Sequence, residues 1–119
     1  MMESDQFTLE EANALVPWLA ETFQRLADLR DELAALRGRA GGGAVDRANE
    51  DLEALERALD DGLQEILDRG IMVRDVASGL VDFPSQRESR EVFLCWIGGE
   101  DRIDFWHETD RGFAHRQPL

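Results

Sequence analysis

Apolar residues recur at seven-residue intervals through the first half of the chain, as Leu19, Leu26 and Leu33 and again as Val45, Leu52, Leu59 and Ile66. Leu29 and Leu36 follow three residues after Leu26 and Leu33, and Ala48 and Leu55 fall between members of the second row. This spacing predicts two helices packed along a coiled-coil-like seam. Thr8-Leu-Glu-Glu11 has the form of a capping box, so the first helix is expected to start there. Pro17 lacks an N–H and its ring crowds the carbonyl of Asn13, which predicts a kink or break before the helix continues through Arg37. The stretch Gly38-Arg-Ala-Gly-Gly-Gly43 predicts a turn, and a second helix follows from Val45 to Arg69 with Gly70 as its C′ residue. Glu21 and Arg25, Glu53 and Arg57, and Glu65 and Arg69 place acid four residues before base, the spacing of exposed ion pairs.

After Gly70 the pattern changes to β-branched and aromatic runs punctuated by Gly79 and by Gly98-Gly99. Strands are expected over Ile71–Val76, Leu80–Phe83, Glu91–Ile97 and Arg102–Glu108, with Pro84 ending the second strand or marking a sheet edge. Phe93, Cys95 and Ile97 then face one side, and Val92, Leu94 and Trp96 the other. With both sides apolar, one is expected to pack on the helices and the other on a partner subunit or the C-terminal tail. The fold class is therefore α+β, one domain over residues 1–119. A long antiparallel helical hairpin, residues 1–69, precedes a small antiparallel sheet of about four strands and a tail, residues 70–119. Leu15, Val16, Trp18, Phe23 and Leu63 widen the helical stripes beyond a two-helix seam. A homodimer with a four-helix arrangement would bury them.

Composition narrows the function classes. The chain has 119 residues, 43% of them hydrophobic, and a formal charge of −13, which disfavours nucleic acid and anionic membrane surfaces. All of its cationic side chains other than histidine are arginine, so lysine Schiff-base chemistry is excluded. One cysteine cannot make an internal disulfide, and the polar N-terminus carries no signal-like run, so a cytoplasmic location is expected. No phosphate-binding glycine loop, HExxH, paired CxxC or Gly-x-Ser-x-Gly elbow occurs.

Several segments together resemble a known family. They are Phe7-Thr-Leu-Glu-Glu-Ala-Asn13 with Pro17, Gly79-Leu-Val-Asp-Phe-Pro84, Leu94-Cys-Trp96, Gly99-Glu100, Trp106-His-Glu108 and Arg116-Gln-Pro-Leu119. The chain is similar to the prokaryotic domain of unknown function 2203, over nearly its whole length. The resemblance implies a small stand-alone protein and brings no mechanism. Arg74 stands where the family pattern suggests lysine, and His115 where it suggests glycine.

Candidate chemistry concentrates in the β part. Cys95, Glu100, His107 and Glu108 offer thiol, carboxylate and imidazole donors for a divalent metal, the one cofactor these residue types suggest. Adjacent strand residues face opposite ways, so His107 and Glu108 do not share an ion in a regular strand. Hairpin register decides whether Cys95 joins His107: pairing Ile97 with Arg102 separates them, and pairing Ile97 with Ile103 puts them on one face. The plain alternative makes His107 an aromatic-sized core residue and Cys95 a small buried hydrophobe. A Cys95–His107 nucleophile pair is disfavoured, because burial raises a thiol pKa. Asp104, Glu108 and Asp110 read as a solvated, charged strand edge.

Asp82, among apolar neighbours, needs a partner, and Arg116 is the expected one. The pair either docks the tail or, with His107, Trp106 and Trp96, lines an aromatic pocket for an anionic ligand. The leading expectation is a cytosolic, homodimeric binding or adaptor module with an unknown protein or small-molecule partner. The competing one is a small metal-binding protein or metal-dependent enzyme using the β-part donors.

Overall fold

A computed structural model describes residues 6–39 and 45–119. Two helices, α1 (Leu9–Arg39) and α2 (Val45–Asp68), precede a five-stranded antiparallel sheet. Its strands are β1 (Met72–Asp75), β2 (Leu80–Arg87), β3 (Arg90–Trp96), β4 (Phe105–Glu108) and β5 (Gln117–Pro118), ordered as in the sequence. A single turn of 3₁₀-helix, Phe113–His115, links β4 to β5.

The capping box forms as its residue types dictate. Thr8 Oγ1 accepts from the Glu11 N–H at 3.0 Å, and Glu11 Oε1 accepts from the Thr8 N–H at 2.8 Å. From there α1 runs unbroken through Pro17, so the expected break is absent. The helix also continues past Gly38 to Arg39. The Gly41–Gly43 turn and the side chains of Val45 and Ala48 lie outside the described residues.

Cross-helix ion pairs give the helices their relative direction. Arg25 meets Glu65 at 3.4 Å and Arg37 meets Glu56 at 3.0 Å, so residue numbers rise on one helix as they fall on the other. Arg25 thus reaches across the hairpin to Glu65, and Arg69 lies over the Trp18 ring at 4.1 Å. Gly70 takes the left-handed conformation, φ 88°, as a C′ residue does, with its N–H on the Leu67 carbonyl at 2.9 Å.

The seven-residue row on α1 faces the core: Ala12, Leu19, Leu26 and Leu33 are all buried. Of these, Ala12, Leu19 and Leu26, with Val16 and with Ile66 of α2, pack against Val81, Phe83, Val92, Leu94, Trp96 and Trp106 of the sheet. Phe23 stacks on Trp96, and Phe7 meets Phe83 edge-on. One sheet face is therefore the hydrophobic core, and the other carries the chemistry.

β2 runs on through Pro84 to Arg87, four residues past the expected Phe83. In an extended strand a residue's N and O point the same way. The Pro84 carbonyl accepts from the Phe7 N–H at 2.7 Å, on the side away from β3, so the missing N–H also points to that side. β1 ends its pairing at Asp82, so Pro84 occupies a local edge that residues preceding α1 cover. The fifth strand, absent from the sequence-based expectation, is held by Phe105↔Pro118 and Trp106↔Gln117 pairing, with the Leu119 N–H on the Asp104 carbonyl at 2.8 Å.

Candidate metal centre

Strand register assembles a cluster from three central strands. β2 and β3 pair Asp82 with Cys95, and β3 and β4 pair Cys95 with Phe105 and Phe93 with His107. This is the parity of the Ile97–Ile103 register, so Cys95 and His107 share a face. Asp82 lies directly opposite Cys95 on that same face. Asp82, Cys95 and His107 are all buried, and a carboxylate oxygen, the thiol sulfur and an imidazole nitrogen lie within 4.8 Å of one another.

Outer contacts fix each polar member. His107 Nδ1 is 2.8 Å from the Glu108 carbonyl, which only accepts, so Nδ1 carries a hydrogen and Nε2 faces inward. Nε2 lies 2.9 Å from Asp82 Oδ1. The second Asp82 oxygen, Oδ2, accepts from Arg74 Nε at 2.9 Å. Arg74 sits where the β1–β2 register shifts between Val73 and Asp75, two residues on from Met72, which pairs with Asp82. Its guanidinium also lies 5.2 Å from the centre of the Phe93 ring.

Arg74, not Arg116, is therefore the cation paired with Asp82. Arg116 Nη2 donates instead to Glu100 Oε2 at 2.6 Å, and its guanidinium lies over the Phe105 and Phe113 rings at 4.0 and 4.7 Å. Glu100 is fully engaged, since its Oε1 accepts from the Ile97 N–H at 3.0 Å and its carbonyl accepts from Trp96 Nε1 at 2.9 Å. Burial and then the Asp82 carboxylate push the Cys95 thiol up from 9.0 to about 12, with Arg116 acting in the opposite sense. A protonated thiol at neutral pH is a poor nucleophile, as the sequence suggested.

The remaining candidates lie apart from the cluster. Trp96 and Trp106 belong to the core on the helix-facing side, so the aromatic pocket expected from them does not form beside His107. Glu108 points away from His107 and reaches Arg90 at 3.6 Å. Glu100 stays with Arg116. Of the four metal candidates, Cys95 and His107 come together, and Asp82, expected as a ligand-binding residue, joins them. Sequence reasoning missed Arg74 as the partner of Asp82. The two-residue period of β1 places Arg74 near Asp82 once the β1–β2 register is known, and that register is what the sequence leaves open.

Fold and cluster together define a small α+β protein with a helical hairpin on one face of an antiparallel meander and a buried Asp–Cys–His cluster on the other. The sequence profile of the family described as "Uncharacterized conserved protein (DUF2203)" matches residues 6–119, and the chain belongs to that family. Neither the curated proteins nor the solved structures include a match. Among the described residues no helix is long and apolar enough to cross a membrane.

Proposed function

We propose that this protein binds a divalent transition metal through Asp82 Oδ1, Cys95 Sγ and His107 Nε2. The observation that carries the reading is that the outer atoms of two of these side chains are already occupied. His107 Nδ1 is held by the Glu108 carbonyl and Asp82 Oδ2 by Arg74, while the inner atoms converge with the sulfur. Outer contacts of this kind orient the ligands of metal sites. Thiolate and imidazole donors select zinc, cobalt or iron over magnesium or calcium, and three protein ligands leave a fourth position for water or another ligand. Arg74, 41% exposed, is the cluster's most open partner and the group an entering ion would pass.

Titration with cobalt(II) tests the reading, because a cysteine ligand gives a thiolate-to-cobalt charge-transfer band in the near ultraviolet. The band is expected in the wild-type protein and lost in Cys95→Ser, with affinity lowered at least tenfold in His107→Ala. No cobalt or zinc uptake by the folded wild-type protein would overturn it.

A second reading, a homodimeric binding or adaptor module, draws on the hairpin. An open groove of about 520 Å³ is lined by Glu32, Ala35, Leu36, Asp51, Ala54 and Leu55, none of which belongs to the main core. A second hairpin laid there would cover Leu36 and Leu55 in a four-helix arrangement. Native mass spectrometry distinguishes the outcomes: a dimer weakened by Leu36→Glu supports this reading, and a monomer at every concentration sinks it.

A further inference from the structure

The three donor side chains of the cluster present almost no surface to solvent: Asp82, Cys95 and His107 are 3, 0 and 1% exposed. An ion or reagent in solution therefore reaches them only when a neighbouring side chain moves. Arg74 is placed to be that neighbour. It lies on the edge strand β1, where the register with β2 shifts between Val73 and Asp75, and its own side chain is 41% exposed.

Its contacts close a ring around the imidazole. Arg74 Nε donates to Asp82 Oδ2 at 2.9 Å, and Asp82 Oδ1 meets His107 Nε2 at 2.9 Å. The His107 ring packs 5.6 Å from that of Phe93, and the Phe93 ring lies 5.2 Å from the Arg74 guanidinium. Asp82, Phe93 and His107 belong to the interior strands β2, β3 and β4. Arg74 can rotate into solvent while the strands stay paired. One hydrogen bond to a charge and one cation–π contact hold it, with a 3.7 Å contact from Nη2 to Met72 Sδ, a weak acceptor on an exposed side chain. The Glu108 carbonyl on His107 Nδ1, by contrast, is main chain of β4 and cannot turn aside alone.

We infer that Arg74 is a side-chain gate: folded onto Asp82 and Phe93 it shuts the cluster from solvent, and turned outward it opens the cluster. As the entry for an ion the gate rests on the metal reading above; as a barrier in front of the Cys95 thiol it stands without it. A gate slows passage in both directions, so Arg74 sets the rates at which the site loads and empties.

Two measurements on wild type, Arg74→Ala and Arg74→Lys test it. Methyl methanethiosulfonate, a small neutral thiol reagent, reports access to Cys95 in metal-free protein. Its reaction with Arg74→Ala at pH 8 is expected to be at least about tenfold faster than with wild type, the scale of one hydrogen bond to a charged group. Arg74→Lys, which keeps the charge and lacks the planar fork, should fall between. Losing the counter-charge on Asp82 by itself disfavours the thiolate, so a faster reaction reads access. Rates that stay flat in low urea come from the gate, whereas rates that climb steeply with urea come from global unfolding and overturn the inference. Equal reactivity of all three proteins overturns it as well. Stopped-flow mixing with cobalt(II), then a chelator chase, should show loading and release both quickened in Arg74→Ala. Faster loading with unchanged or slower release would mean that Arg74 acts through its charge alone, and the gate fails. A missing thiolate-to-cobalt band in wild type sinks the metal reading separately, and the thiol rates then decide the gate by themselves.

Discussion

His107 Nε2 and Asp82 Oδ1 lie 2.9 Å apart in the buried face of the sheet. The other side of each group is also held, His107 Nδ1 by the Glu108 carbonyl and Asp82 Oδ2 by the positive charge of Arg74. Removing one partner strands the rest. His107→Ala is expected to lower stability by about 3 kcal/mol, the scale for breaking a buried ionic pair, measured by urea unfolding of metal-free protein. A loss below about 1 kcal/mol would mean the contact is loosely held.

Cys95 gives an alkaline signature that few proteins could show so cleanly. The chain has no lysine and no tyrosine, so between pH 9 and 12 the cysteine is the one side chain that titrates. Its folded pKa of about 12 lies above the ordinary thiol value of 9.0, so the stability conferred by the neutral buried thiol is intact below 9. As pH rises the unfolded chain ionises first, and stability should fall by roughly 1.4 kcal/mol per pH unit until the folded thiol also ionises. Cys95→Ala should abolish that slope. In parallel, a disulfide reagent should leave the native thiol unmodified at pH 8 and react rapidly in denaturant.

How much of this was legible depends on the range of the interactions involved. The capping box and the Leu19, Leu26, Leu33 row are set within a few turns of helix, and both appear as the sequence indicates. The two-residue alternation of β3 correctly separated Val92, Leu94 and Trp96 from Cys95. What failed was long-range. Gly98-Gly99 permitted either hairpin register, so Cys95 and His107 could not be placed together until Cys95↔Phe105 pairing was seen. Arg116 looked like the partner of Asp82, because nothing local fixes the Met72↔Asp82 register that brings Arg74 to it instead. β5 escaped notice because two residues, one of them proline, carry no periodicity.

Gly62 lies inside α2, where glycine ordinarily weakens a helix by up to about 1 kcal/mol relative to alanine. Here the gain from Gly62→Ala should not appear. An added Cβ would stand 2.6 Å from Cδ2 of Leu26, which is itself buried in the helix–sheet core. The leucine must leave its rotamer or the helices must separate, at about 1–3 kcal/mol for overpacking. Thermal denaturation should show a lower Tm for Gly62→Ala, whereas the exposed Gly38→Ala, with open space around its Cβ, should be neutral or stabilising. A raised Tm for Gly62→Ala would show that the contact yields easily.

The turn that joins β1 to β2 gives a pH dependence of the opposite sign to that of Cys95. Asp75 Oδ2 accepts from both the hydroxyl and the backbone N–H of Ser78, and these bonds hold its carboxyl below the ordinary value of 3.8. A depressed carboxylate pKa stabilises the fold above the unfolded value and loses that contribution as pH falls through the folded one. The Ser78 carbonyl also accepts from the Gly98 N–H at 3.1 Å, so this turn anchors the β3–β4 loop next to it. Asp75→Asn should therefore weaken the protein at pH 7 and converge with wild type near pH 2. Hydrogen exchange should report the loss first at the Gly79 and Gly98 amides. Equal stability of the two proteins at pH 7 would show that solvent around this exposed turn screens the carboxylate fully.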